Sequence, residues 1–240
     1  MCRCSLTNAG WPVSDTTTAR QRAPRGRGAE LRGEVLQAAM DLLTETGDES
    51  AVSVRAVAQR VGVSVPSIYL HFADKQALID AVCQEVFEQL HVRLREAGEA
   101  GDDPFDALRR QGNAYVRFAV DNPEHYRLVM MTSHARTPEA PDALIASGAF
   151  GYLVASVEKC LEVGIFEGSP VELGLGLWAA AHGVASLLVA KPYFPWPDRD
   201  AFIDRTICMA GIGLAAAARF DADNDLPVEQ VVATLDRLRS

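Results

Sequence analysis

The sequence lacks the marks of most catalytic classes. It contains no Gly-rich phosphate loop and no nucleophile elbow, so neither nucleotide chemistry nor hydrolase-type acyl transfer is indicated. Its five histidines, His71, His91, His125, His134 and His182, fall in no metal-ligand spacing, and a metal site needs three or four converging ligands. No enzyme activity, metal or cofactor is therefore expected. No alternating apolar–polar run persists, so no strand pattern competes with a helical reading. Cysteine is sparse and widely spaced, at Cys2, Cys4, Cys83, Cys160 and Cys208. An odd number at such spacing argues for buried thiols in a reducing compartment rather than a disulfide frame. Cys2-x-Cys4 has no further ligands nearby to complete a structural zinc site. Residues 1–28 lack an apolar signal core and are rich in Thr, Arg and Gly, so a cytoplasmic protein without a secretory signal is expected.

Charge is scarce in one sense only. The net charge is −9, yet residues 1–75 carry nine Lys/Arg against eight Asp/Glu while residues 76–240 carry 14 against 24. Residues 20–32 hold five Arg and one acid, Glu30. An Arg-rich arm on an acidic body fits nucleic-acid contact at one end of the molecule. A nucleoid-type structural protein should be basic throughout, because non-specific binding rests on phosphate neutralisation. Charge is also absent from residues 173–190. That stretch is short for a membrane span of about 20 apolar residues, and a helix buried all round inside a soluble core is the better expectation.

What is present reads as helix almost throughout, in an all-α fold of about nine helices. Residues 1–28 form an Arg-rich arm without apolar periodicity. Leu31, Val35, Ala38, Ala39 and Leu42 recur at helical spacing before Gly47. Short helices are expected from Val54 and from Ser64, and a long one after Asp74. Further helices are expected at 104–120, 123–132, 142–165, 171–190, 199–219 and 227–239, with Pro or Gly at most joints. The expected division is an N-terminal three-helix unit at 29–75 and a larger helical unit at 76–240. The helix 75–97 is expected to be the sole link between the two.

The informative stretch is residues 53–75. Ala58 is small where a second helix must cross, Gly62 tolerates the positive φ of a tight turn, and Val54, Val57, Val61, Val63 and Ile68 anchor both sides. A second helix entering a major groove needs short side chains at its start, which Ser64, Val65, Pro66 and Ser67 provide. Tyr69, His71 and Lys75 lie where phosphates would pass and would position the protein without reading sequence. With Ser53 and Arg55 these make the candidate DNA-binding set.

Residues 31–78 resemble the DNA-binding domain of the TetR family of bacterial regulators. The carrying residues are Leu31 to Thr46, then Val57-Ala58 with Gly62-Val63-Ser64, then Ser67-Ile68-Tyr69-x-His71-Phe72-x-x-Lys75-x-x-Leu78. The resemblance implies a homodimer on a palindromic operator of double-stranded DNA, released when a small-molecule effector binds the C-terminal domain. It also implies that Ser53, Ser64, Ser67, Tyr69, His71 and Lys75 face DNA. Repression is the implied effect; activation by the same fold and metal sensing are the alternatives. Asn122-Pro-Glu-His-Tyr126 and Trp178-x-x-x-His182-Gly183 further resemble the C-terminal domain of the subgroup named for its Trp…His-Gly motif.

Trp178 and His182 are four residues apart and share a helix face. His182 either braces the core or orients a ligand in an apolar pocket. Tyr115, Phe118, Tyr126, Met130, Met131, Phe150, Tyr152 and Trp178 are the residues that could line such a pocket, although each type fills cores by default. The Ala/Gly-rich helices 171–190 and 199–219 are the expected dimer interface, since small residues permit close approach.

Overall fold

The computed structural model describes residues 28–131 and 148–217, with Glu229, Val232 and Ala233, which are helical. The arm before Gly28, the first residues (142–147) of the helix expected at 142–165 and most of the helix expected at 227–239 lie outside the described residues. All regular structure among the described residues is helical. It comprises α1 (Gly28–Thr46), a 3-10 turn (Glu49–Ala51), α2 (Val54–Val61), α3 (Val65–Tyr69), α4 (Lys75–Glu99), α5 (Pro104–Asp121), α6 (Pro123–Met130), α7 (Ala149–Glu162), α8 (Pro170–Ala190) and α9 (Arg199–Ala217).

Local chemistry sets the boundaries. Asp74 accepts from the Ala77 amide at 2.8 Å and opens α4. Asp103 accepts from the amides of Phe105 and Asp106, with Pro104 at the first position of α5. Pro is favoured there because its missing N–H would have no partner in any case. Gly62 ends α2 at φ 74°, and the Val63 amide returns to the Ala58 carbonyl at 2.9 Å. Only glycine takes this left-handed turn without strain.

Ile68, Val57, Leu78 and Val35 are fully buried together in the first three helices and the start of α4. Truncating Ile68 to Ala would cost about 2–5 kcal/mol by the usual cavity penalty. The same apolar cluster continues along α4 through Val86, Phe87 and Leu90 into α5, α6, α8 and α9. Helix α5 approaches α9 closely because Gly112 has no side chain: a Cβ there would meet Ile207 Cγ2 at 2.6 Å. An ion cluster reinforces that contact. Arg109 bridges Asp106 and Asp204, Asn113 donates to Asp204 at 2.7 Å, and Arg117 meets Asp200 at 3.1 Å.

Two expectations are corrected. Helix α8 is not buried all round: only 33% of its most apolar window is buried, and Val171, Leu175 and Leu187 lie in the open. Helix α4 is also not the sole link between the two ends of the molecule. Helix α6 packs against both α1 and α4, because Pro123 starts a new helix that turns back under the N-terminal helices.

Candidate nucleic-acid interface and internal cavity

Helices α2 and α3 form the expected pair. The Ser53 hydroxyl accepts from the Ala56 amide at 3.1 Å and caps α2, so it is half-buried and already engaged. Arg55, two residues later, is exposed. Ser64 occupies the cap position of α3 without making a side-chain cap bond. Its hydroxyl instead lies 2.7 Å from that of Ser67, so two candidate base-reading groups are paired with each other in the free protein. Pro66 is exposed, whereas Val65 turns half-buried onto the core.

Beyond α3, Tyr69 is half-exposed and His71 lies beside the start of α1, where a Cβ on Gly28 would be 3.7 Å from its Cε1. Lys75 donates to the Glu49 carbonyl at 3.3 Å across the surface, an exposed bond that a phosphate can replace. Sequence reasoning missed Leu70, which is 84% exposed at the end of α3. An apolar side chain displayed beside short hydroxyls suits a thymine methyl or a sugar face. Its signal was the break in helical burial after Ile68.

The second feature is an internal cavity of about 60 Å³ between α4, α5, α7, α8 and α9. Leu90 and Leu94 of α4 form part of its wall, with Tyr115, Phe150, Trp178 and Ile207 opposite. Of the pocket candidates, Tyr115, Phe150 and Trp178 reach it. Phe118 and Tyr126 are buried elsewhere in the core, Met130 is half-buried, Met131 is exposed, and Tyr152 is half-buried with its hydroxyl 3.4 Å from the Arg95 carbonyl.

His182 lies behind the wall. Its Nδ1 is 2.9 Å from the Tyr126 hydroxyl and 3.2 Å from that of Tyr115, which in turn accepts from Trp178 Nε1 at 3.3 Å. Burial lowers the His182 pKa and favours the neutral ring. Burial likewise pushes the Tyr126 hydroxyl up to about 12 and raises Tyr115 further, so both stay protonated. A neutral ring accepts at one nitrogen only, and Tyr126 is the nearer donor. The four residues brace α5, α6 and α8 against one another and keep the cavity wall in place.

Gln111 was missed by sequence reasoning. It is 3% exposed and lines the cavity. Its signal was a single polar residue in the buried stripe Leu108, Gln111, Tyr115 of α5. Among the described residues no group of three or more His, Cys, Asp or Glu is placed to hold a metal ion.

Known proteins match both features. Residues 35–82 match the model of bacterial regulatory proteins of the tetR family, and residues 108–210 match one described as a tetracyclin repressor-like C-terminal domain. The HTH-type transcriptional activator FasR of Mycolicibacterium smegmatis is 31% identical over 193 residues, 79% of this chain and 81% of that protein. The tetracycline repressor protein class A from transposon 1721 of Escherichia coli is 40% identical over 126 residues, which is 50% of this chain and 52% of that repressor. A solved TetR family transcription regulator from Marinobacter aquaeolei VT8 shares the fold with a TM-score of 0.61 at 23% identity, over 78% of this chain and 97% of its own. A helix-turn-helix matching one family model and a helical core matching its companion stand in one chain, and the chain belongs to the TetR family of bacterial DNA-binding transcriptional regulators.

Proposed function

We propose that the protein is a ligand-responsive repressor of the cytoplasm. A homodimer holds a palindromic operator with its two α3 helices and lets go when a small apolar effector enters the cavity. Residues 29–75 read DNA with Ser53, Arg55, Ser64, Val65, Pro66, Ser67, Tyr69, His71 and Lys75; the arm 1–28 adds phosphate contacts; residues 76–240 bind effector and dimerise. The motif Trp178-x-x-x-His182-Gly183 supports placing the C-terminal part in the Trp…His-Gly subgroup.

One observation carries this reading. Leu90 and Leu94 in the cavity wall belong to α4, the helix whose first residue is Lys75. At about 60 Å³ the cavity is smaller than the roughly 150 Å³ that admits benzene in an engineered core. Ligand pockets usually run to about 300–1,000 Å³. An effector must therefore push the walls apart, and α4 is one of them. Tilting α4 changes the spacing of the two α3 helices, which must sit about 34–36 Å apart on DNA. The effector can shift DNA affinity only by its preference for the opened form. Tyr115, Phe150 and Trp178 would touch it, with His182 and Tyr126 bonded behind Tyr115 and Trp178; Phe118 and Met130 do not reach the wall.

The homodimer reading is supported by the open apolar faces of α8 and α9: Leu187, Met209 and Ile212 are each more than half exposed, at 53%, 63% and 54%. Burying such patches against a second copy is the ordinary reason for their exposure.

A second reading, activation by the same fold, is favoured by FasR, a relative matched over most of its length and named an activator. Footprinting the promoter region beside the gene, followed by a reporter fused to the protected site, separates the two. A reporter that rises when the protein is removed supports repression, and one that falls selects activation. No protected site would overturn both.

A further inference from the structure

The cavity wall is mainly apolar: the Tyr115 hydroxyl and the Trp178 N–H are engaged with each other and with His182, which leaves Gln111 as its remaining polar side chain. The Ser156 hydroxyl donates to the Tyr152 carbonyl at 3.0 Å, so it must accept from Gln111 Nε2 at 2.9 Å. A hydroxyl has one proton, and this geometry fixes which way the Gln111 amide faces. Gly98 of α4 closes the other side: a Cβ there would come within 2.7 Å of Gln111 Nε2. The amide is thus clamped, and its Oε1 is left buried without a hydrogen-bond partner. A buried carbonyl in that state is costly to keep. Among the described residues of the wall no side chain carries a formal charge.

We propose that the cavity selects a neutral, mainly apolar molecule carrying one hydrogen-bond donor, an alcohol or an amide N–H, which Gln111 Oε1 accepts. A carboxylate would bring a desolvated charge and no proton for Oε1. An alkylammonium would leave water for a single neutral acceptor. Both cost more than the apolar walls return. A donor-bearing molecule satisfies the one orphaned atom, while its apolar part meets Leu90, Leu94, Phe150, Trp178 and Ile207. A site built around a buried polar group rejects analogues that leave that group unpaired. Gln111 is accordingly a specificity-determining residue.

This inference rests on the cavity being the effector site, and direct binding to DNA-free protein keeps the two apart. Calorimetry with 1-octanol, heptyl methyl ether, sodium octanoate and octylammonium chloride supplies the comparison. The ether matches the alcohol in length and keeps an oxygen but has no donor. The alcohol is expected to bind about ten-fold or more tightly than the ether, and the two ions more weakly still. Gln111→Met, of similar length without polar atoms, should bring the alcohol down to the ether. The wild-type comparison decides the question even if that variant fails to fold. Equal binding of alcohol and ether, a preference for either ion, binding of none of the four, or a gap that survives in Gln111→Met would each overturn the proposal. If the alcohol binds as expected but leaves operator affinity unchanged, donor recognition stands and the effector reading fails.

Discussion

Nε2 of His125 lies 3.2 Å from the hydroxyl of Thr44 and 3.4 Å from the Met40 carbonyl. Helix α6 is thereby fastened to the last turn of α1, beside Gly47 and the Glu124 carboxylate. The next residue, Tyr126, bonds His182. A displaced cavity wall therefore has two physical routes to the DNA-reading end, one along α4 and one through α6. Coupling of this kind is carried by packed elements with alternative positions. Thr44→Val is expected to cost about 1 kcal/mol of stability by removing a partner of a buried ring. A double-mutant cycle with His125→Leu, read by urea unfolding, should give a coupling of about 0.5–1.5 kcal/mol. Strict additivity would show that the contact carries nothing.

Dimerisation should fail in Ile212→Glu and in Met209→Glu, because each places a charge on the open face of α9. Sedimentation at micromolar concentration is expected to show wild-type dimers and variant monomers, with helical content retained. Gly211→Glu should behave differently. Gly211 is buried, and a Cβ there would stand 3.0 Å from the Phe105 ring, so that change attacks the subunit itself. A wild-type monomer would sink the interface.

Lys75→Ala should weaken binding to every duplex alike and lower the salt slope by about one, because one phosphate neutraliser is lost. The Glu49 carbonyl that Lys75 holds in the free protein is exposed to water and can do without it. Ser67→Ala should instead alter base preference by about 1–3 kcal/mol at one position of each half-site. An unchanged slope would remove Lys75 from the phosphate contacts, and an unchanged preference would remove Ser67 from the base contacts.

Stability should respond to pH through His182. Its pKa is lowered in the folded protein by burial, so the fold favours the neutral ring. The resulting stabilisation is complete above the ordinary value of 6.5 and is lost as pH falls through the lowered folded value. The ring faces Tyr115, Tyr126 and Trp178. Between pH 7.5 and pH 5 the wild type should lose more stability than His182→Gln, measured by urea unfolding at each pH. Equal losses would show that the ring titrates as it does in water.

The elements were largely legible because their signals are local. Pro104, Pro123 and Pro170 each open a helix where the sequence placed one, and Gly62 turns where the helix pair required it. The candidate sites were legible in part. Val65 looked short enough for a groove but packs inward, because α3 is one and a half turns long and must bury a face to stay folded. Gln111 looked like any polar residue on an amphipathic helix, since its burial is imposed by α4 and α7 from outside α5. The His125–Thr44 bond spans 81 residues, and no periodicity reports a contact of that range. The sequence left α8 with two readings, buried all round or open for an interface, because an uncharged helix of small and apolar residues has no polar face to show which side meets water.

The most direct test of the account is selection of random duplex DNA by the full-length protein, with the recovered sequences aligned and footprinted. The account predicts one palindromic sequence, with half-sites separated by about one helical turn or a multiple of it, which changes at one position of each half-site in Ser67→Ala and whose enrichment is lost in Ile212→Glu. Recovery of unrelated sequences, or the same sequence equally enriched with those variants, would contradict it.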